Sequence, residues 1–485
     1  MSTPHRKSLP TLAATLAFSA SMAMFATQAG AFQGFDDSTA FTLADSSRGA
    51  LVNLHAQLLD SAAITNLSGA PTHYDNSASV RIFLDGKFTD AFNFAARVKV
   101  STDHTNRDIA DHFYNPNEGI PYNKQSDNKR TWDLFAANAR YDIAPIGLLA
   151  GFDYLEAGPA RRHHVIMRGE HSFYRPWQDS SSRIYDPAPT PYFGYEFTLG
   201  PLTYTQHAAK LFEKKGAGKY FHNHRLAMNL PFDITLGLSE TALYGTTTEA
   251  PGTNPNADAE YSTREMEWAY VIPFVPYVFE EHLLGDQDNI SLAFDLSVKT
   301  IPNWEIYAEL LWDDMKSPTS MFDDSWWGNK WATTVGLARD NLKLGPVMLD
   351  WFAEYTRIEP WVYTHHKGGG YTYANYAQSL GSDLGPNAQE IHSELGATWK
   401  FVKGTLIAGA VAKDTAFGGN IADIHGPEDR IDKKFLNDDT TIRYEELGGA
   451  LAITPWYWAT LKTSYTRFFG DYEGFRATLS GSVQF

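Results

Sequence analysis

The chain has no cysteine among its 485 residues, which excludes a disulfide framework and a lipid-modified cysteine anchor. Long apolar runs are missing too. Beyond the N-terminus no stretch reaches the roughly 18 consecutive apolar residues of a membrane helix, so helical spans are excluded. Basic residues are scarce: 40 Lys and Arg face 57 Asp and Glu, for a formal charge of −17. Nucleic acid and anionic membrane surfaces need clustered Lys and Arg, and neither suits so acidic a chain. No linker-like change of composition divides the sequence, and no repeat of fixed period is visible. One large architecture is expected.

The N-terminus carries an export signal. His5, Arg6 and Lys7 form a basic region, Leu9 to Met24 an alanine-rich apolar one, and Ala29-Gly30-Ala31 a cleavage site. Residues 1–31 are thus read as a signal peptide, with the mature chain starting near Phe32. Removing the two positive charges of Arg6 and Lys7 takes the net charge from −17 to −19.

The dominant pattern is alternation with period two. In "GFRATLSGSVQF", Phe475, Ala477, Leu479, Gly481, Val483 and Phe485 share one face, against Arg476, Thr478, Ser480, Ser482 and Gln484. Phe92, Phe94, Ala96, Val98 and Val100 likewise oppose Asn93, Arg97 and Lys99. Trp304, Ile306, Ala308, Leu310 and Trp312 oppose Glu305, Tyr307, Glu309 and Asp313, while Val347, Leu349, Trp351, Ala353 and Tyr355 oppose Asp350, Glu354 and Thr356. Such strands also fit a soluble sandwich. Three features favour a membrane barrel instead: an aromatic end to the last strand, aromatics near strand ends, and strands of about 10 residues. The fold expected is therefore an all-β, transmembrane antiparallel β-barrel of about 16–18 strands, with short helical elements at the periplasmic end or as a plug. The inward face would carry Arg81, Asp85, Arg97, Lys99, Asp295, Glu305, Glu309, Glu354, Glu394 and Arg476 among others. Mixed signs suit a neutral-tolerant or plugged lumen better than an ion-selective pore.

Two segments break the pattern. Leu51, Leu54 and Leu58 stand at helical spacing, so residues 32–79 are read as a periplasmic helical segment before a barrel over 80–485. "REMEWAYVIPFVPYVFEEHLL" reads as an inserted helical element near 264–284, kinked at Pro273 and Pro276.

Candidate chemistry is sparse. His365 and His366 are adjacent and point to opposite faces of an extended chain, which disfavours a shared ion. His222 and His224 share a face, but no carboxylate stands at a recognisable ligand spacing. Arg161-Arg162-His163-His164 reads as a polar loop contact or a phosphate-friendly patch. Asp313 and Asp314 alternate across a strand and make a poor acid dyad for a rim hydrolase. No catalytic residue, metal site or cofactor is assigned. Loops rich in aromatics are more informative: one holds Phe173, Tyr174 and Trp177, another Trp326, Trp327 and Trp331, a third Trp361, Tyr363, Tyr371 and Tyr373. Flat rings among Asp, Asn, Arg and His match the apolar faces and polar edges of sugars.

The stretch Asp288 to Glu390 resembles the capsule-assembly Wzi family of outer-membrane barrels. The resemblance rests on Asp288-Asn289, on Glu309-Leu310-Leu311 running into Asp313-Asp314, on "GLARDNLKLGPVMLDWFAEYTRIEPWVYTHH", on Asn375-Tyr376 and on "LGSDLGPNAQE". It implies about 18 strands, a helical element at the periplasmic end, location in the outer membrane of a Gram-negative-type envelope, no catalysis, and attachment of capsular or other surface polysaccharide. Expected partners are that polysaccharide, outer-membrane lipid and the barrel-assembly machinery, with no nucleic acid, the barrel being a monomer. Glu354, Arg357, Trp361, Tyr363 and His365 would form the sugar site at the rim, with Asp313, Asp314 and Tyr371 nearby. A porin-like passive channel for small solutes is the alternative.

Overall fold

The structure is a computed structural model, and it describes residues 41–45, 50–105, 130–171, 173–179, 187–212, 218–246, 264–285, 288–314, 319, 321, 326, 328–375, 378–423 and 435–485. The signal peptide expected over 1–31, Trp327 and Tyr376 lie outside them.

Eighteen strands close into one antiparallel ring. The first six are β1 (Ala50–Leu67), β2 (His73–Thr89), β3 (Phe92–Thr105), β4 (Arg130–Ile143), β5 (Ile146–Asp153) and β6 (Thr190–Leu199). The next six are β7 (Leu202–Lys210), β8 (Lys219–Leu230), β9 (Ile234–Gly245), β10 (Asn289–Val298), β11 (Trp304–Asp314) and β12 (Lys330–Leu344). The last six are β13 (Val347–Ile358), β14 (Ala388–Trp399), β15 (Val402–Asp414), β16 (Thr441–Trp456), β17 (Ala459–Gly470) and β18 (Gly474–Gln484). Each strand pairs with its neighbours in sequence, and β18 pairs with β1 from Leu67↔Gly474 to Gln57↔Gln484 to close the wall. A short strand, Phe41–Asp45, continues that seam along β1. Phe485 exchanges backbone hydrogen bonds with Ala56 across it, at 2.8 and 3.0 Å. No helix among the described residues is long and apolar enough to cross a membrane. Closure leaves no sheet edge, so backbone groups are paired without water.

The alternation read from sequence is the observed one. Val80, Ile82, Leu84, Leu236, Leu238, Phe294, Leu395, Leu406, Leu447 and Leu451 are exposed on the outer wall. Tight turns gather at one end, ringed by exposed Phe88, Phe232, Phe401, Trp456 and Tyr457, an interfacial belt. Long connections gather at the other.

One expectation is overturned. Leu51 to Leu58 is not a helix but part of β1, paired with β2 from Leu51↔Lys87 onward, so the barrel begins before residue 80. Period two was present there as well: Val52, Leu54, Ala56 and Leu58 alternate with Asn53, His55 and Gln57. Closing a barrel needs a partner for both edges, and that requirement selects the strand over an isolated helix.

Helical structure is short. A four-residue helix, α1 (Pro176–Asp179), lies in the connection that enters the lumen. The insertion near 264–284 contains a 3₁₀ turn, Trp268–Val271, and α2 (Tyr277–Leu284). Pro276 sits at its N-cap and Gly285, in the left-handed region at φ 105°, ends it. This insertion does not sit at the turn end or in the lumen. It lies against the outer wall beside β7–β10, where Gln206 Nε2 donates to the Tyr270 carbonyl at 2.9 Å and to the Tyr277 hydroxyl at 2.8 Å.

Candidate functional site

Two connections fold inward from the loop end: residues 154–179 after β5 and 359–387 after β13. They carry an apolar core inside the barrel, with Val165, Ile166 and Met167 packed among Phe221, Leu243, Tyr363, Tyr373 and Leu384. The first connection opens with a ladder of two pairs, Glu156↔Arg168 and Ala157↔Met167. At the tip of that hairpin stands Arg161-Arg162-His163-His164.

The acids of the barrel wall hold this tip. Glu354 on β13 accepts from the backbone N–H groups of Arg161, Arg162 and His163 at 3.0, 3.1 and 2.7 Å, and from the Tyr307 hydroxyl at 2.9 Å. Glu309 on β11 accepts from the N–H groups of Ala160 and Val165 at 2.9 and 2.8 Å and lies 3.1 Å from His164 Nδ1. Arg161 bridges Glu305 at 2.9 Å and Asp340 at 2.6 Å. Glu390 on β14 accepts from Arg162 Nε at 2.7 Å and from Arg175 at 2.6 Å. Two glycines permit the approach. A Cβ on Gly158, whose φ is +103°, would overlap the Glu309 carboxylate, and one on Gly336 would overlap the Tyr307 ring.

Electrostatics follow from this packing. Burial alone would pull His164 down, but the Glu309 carboxylate outweighs it and raises the imidazole to about 8. Burial would push Asp383 up, yet Arg175 and His163 hold it well below the usual carboxylate range. Elsewhere Glu170 of the first connection pairs with Arg97 of β3 at 2.9 Å, and Asp153 of β5 lies 3.4 Å from the same guanidinium.

The proposed sugar site is dispersed by the structure. Glu354 is spent on the plug. Arg357, three positions further along the strand, faces outward, where its guanidinium lies 3.9 Å over the Phe435 ring and its Nε donates to Glu359 at 2.6 Å. Trp361 is buried beneath Gly418 and against Phe417, their rings 5.5 Å apart. Tyr363 is fully buried, donating to the Val165 carbonyl at 2.8 Å and stacked on Tyr373 at 5.6 Å. Asp313 accepts from the Tyr363 N–H at 2.8 Å, whereas Asp314 is half exposed across the strand. His365 is half-buried and stacks on buried Tyr371 at 5.3 Å, and of the pair only His366 is exposed. These residues hold the second connection in place; they present no open ring to a sugar.

Two aromatics of the first connection, Tyr174 and Trp177, are partly exposed and pack on Phe468 and Tyr444 of the wall, at 5.9 Å in each case. Arg476 lies 4.3 Å over the Tyr174 ring, with its guanidinium 2.9 Å from Thr65 Oγ1 and 3.9 Å from Asp75. The sequence reading included Tyr174 and Trp177 among three aromatic loops, but Arg476 belongs to a strand 302 positions away and nothing local joined them.

No protein-family model matches the chain, and no curated protein matches it in sequence. Among solved structures it is similar to Wzi of Escherichia coli, an outer membrane protein involved in group 1 capsule assembly and a carbohydrate-binding β-barrel. That likeness has a TM-score of 0.54 at 13% identity and covers 89% of this chain and 84% of that one. OccK5 (OpdH) of Pseudomonas aeruginosa gives 0.46 at 9% identity, over 89% of this chain and 97% of that one. OccD3 (OpdP) of the same organism gives 0.45 at 10% identity, over 95% and 94%. At such identities the likeness shows the fold alone: this chain is a large barrel of the outer-membrane type.

Proposed function

We propose that this chain is a plugged, non-enzymatic barrel of the outer membrane that holds surface polysaccharide at its loop end, in the manner of the Wzi family. The observation that carries this reading is the pinning of the inward connection by Glu305, Glu309, Glu354 and Glu390 on three different strands. A passive channel needs a clear path, and a buried hydrophobic core tied by charge-assisted bonds argues for a fixed closure. Tyr174 and Trp177 supply ring faces for stacking, and Arg476 and Asp75 supply hydrogen-bonding edges. In this reading Glu354, Asp313, Trp361, Tyr363 and Tyr371 support the mouth from beneath.

Planar-bilayer recording separates this reading from a channel: the purified barrel should give no steady current, and large stable openings would establish the passive-channel alternative. For the sugar, changing Tyr174 and Trp177 together to Ala should release polysaccharide from the cell surface while the barrel keeps its heat-modifiable mobility. Full retention by that variant would remove this mouth from consideration.

A further inference from the structure

Beside the acids that hold the tip, three metal-ligating side chains converge where the hairpin meets its ladder. Glu156 opens the two-pair ladder, His164 stands three residues before its second strand, and His171 follows it. One imidazole nitrogen from each histidine and one Glu156 carboxylate oxygen lie within 4.8 Å of one another. His171 Nε2 is 3.2 Å from Glu156 Oε2. Ligand atoms about 2.0–2.1 Å from a tetrahedral zinc stand roughly 3.3 Å apart, so this pair is already at ligand separation.

Two further features suit a cation. Glu309 contacts His164 Nδ1 at 3.1 Å, the carboxylate–histidine arrangement that fixes a ligand's tautomer and leaves its other nitrogen for a metal. Gly169 adopts φ +59°, and a Cβ there would lie 2.5 Å from Glu156 Oε2, so glycine leaves room for the carboxylate. Access is open as well, because the side chains of His171 and Glu156 are 33% and 37% exposed.

A second cluster of similar type, Glu390, His392 and Glu446, provides a contrast. It is buried, and the Arg162 and Arg175 guanidiniums already fill it, with Arg162 2.7 Å from Glu390 and 3.5 Å from Glu446. A metal ion there would sit beside two fixed positive charges. Glu156 is instead paired with His171, itself a candidate ligand, at 3.2 Å.

We propose that Glu156, His164 and His171 form a site for a divalent transition metal of the zinc class, stapling the hairpin where it meets its ladder and leaving one coordination position open to the lumen. Two imidazoles and one carboxylate favour zinc over calcium or magnesium, which take oxygen ligands. The site stands apart from the polysaccharide reading and does not depend on it.

The test uses the full chain in detergent, stripped of metal and titrated with Zn(II) against a chromophoric chelator, then with Co(II) for the visible band of tetrahedral coordination. One equivalent should bind, and zinc should raise the unfolding temperature. His171→Ala and Glu156→Gln, both at solvent-reached side chains, should each weaken binding at least tenfold, and the double variant should lose the cobalt band while still folding. No binding by the unaltered chain at micromolar zinc would overturn the proposal, and so would equal binding by the double variant. If the double variant failed to fold, His171→Asn would be titrated instead, and an unchanged affinity there would also overturn it.

Discussion

The barrel buries polar side chains on both faces of one wall, and the two clusters are built differently. Inside, full charges meet: arginines and histidines of the plug against acids of the strands. Outside, where the wall elsewhere shows Leu and Phe, β7–β9 present Tyr204, Gln206, His222, His224, Glu240 and Tyr244. The insertion 264–284 covers them. His222 bonds the Tyr244 hydroxyl at 2.9 Å, His224 pairs with Glu240 at 2.8 Å, and Glu240 accepts from the Tyr277 N–H at 2.9 Å. On its far side the cover exposes Trp268, Ile272, Phe274, Phe279 and Leu283. The contrast teaches that strand parity assigns a face but not its solvent. The lumen can be closed with charges because donors from a plug satisfy them. The lipid-facing polar patch mixes neutral partners with pairs such as His224–Glu240 and gains a second, apolar skin.

Breaking the inner cluster should have the largest effect. Glu354→Ala leaves three buried N–H groups and the Tyr307 hydroxyl without their acceptor. It should cost about 3–5 kcal/mol at the plug and produce current steps in planar bilayers that the unaltered barrel lacks.

The outer cluster should respond to pH. Burial, reinforced by the neighbouring Glu240, raises the Glu280 carboxyl to about 7. A group with a raised folded pKa contributes fully below its ordinary value and loses that contribution as pH rises through the folded value. Docking of the cover should therefore be firmest below about pH 4.5 and weaken up to about pH 7, by at most about 3 kcal/mol. Hydrogen exchange of Tyr277–Leu284 at pH 5 and 8, corrected for intrinsic rates, measures this, and Glu280→Gln should abolish the difference.

Gln206→Leu tests the same cover with a smaller change. Removing the amide strands the Tyr270 carbonyl and the Tyr277 hydroxyl, for about 1–3 kcal/mol, and should speed exchange in α2 without touching the plug. The smallest effect belongs to Lys87→Ala. That side chain pairs at 2.6 Å with exposed Asp90 at the turn end, so stability should change by about 1 kcal/mol or less and polysaccharide retention should stay the same.

Much of the barrel was legible, because lipid on one side forces an alternation that survives in most strands from Phe92 to Phe485, those under the outer cover excepted. The plug anchoring was not, since Arg162 and Glu390 are 228 positions apart and no local pattern ties them. Trp361 and Tyr363 were misjudged for a related reason: an aromatic loop rising from a strand can turn outward to a ligand or inward to a core. The outer cover left a trace that went unread. His222 and His224 are in phase with Leu226 and Met228, so two histidines had to face the lipid side or be hidden from it.

By itself the sequence determined the strand count to within about two, the alternation of faces along most strands and the absence of helical spans, because these follow from local periodicity against two solvents. Tertiary structure alone decided which acids meet which arginines, that 264–284 lies outside the wall, and that Glu156, His164 and His171 converge. Those outcomes depend on closure of the ring, which brings together residues whose separation along the chain carries no record of their contact.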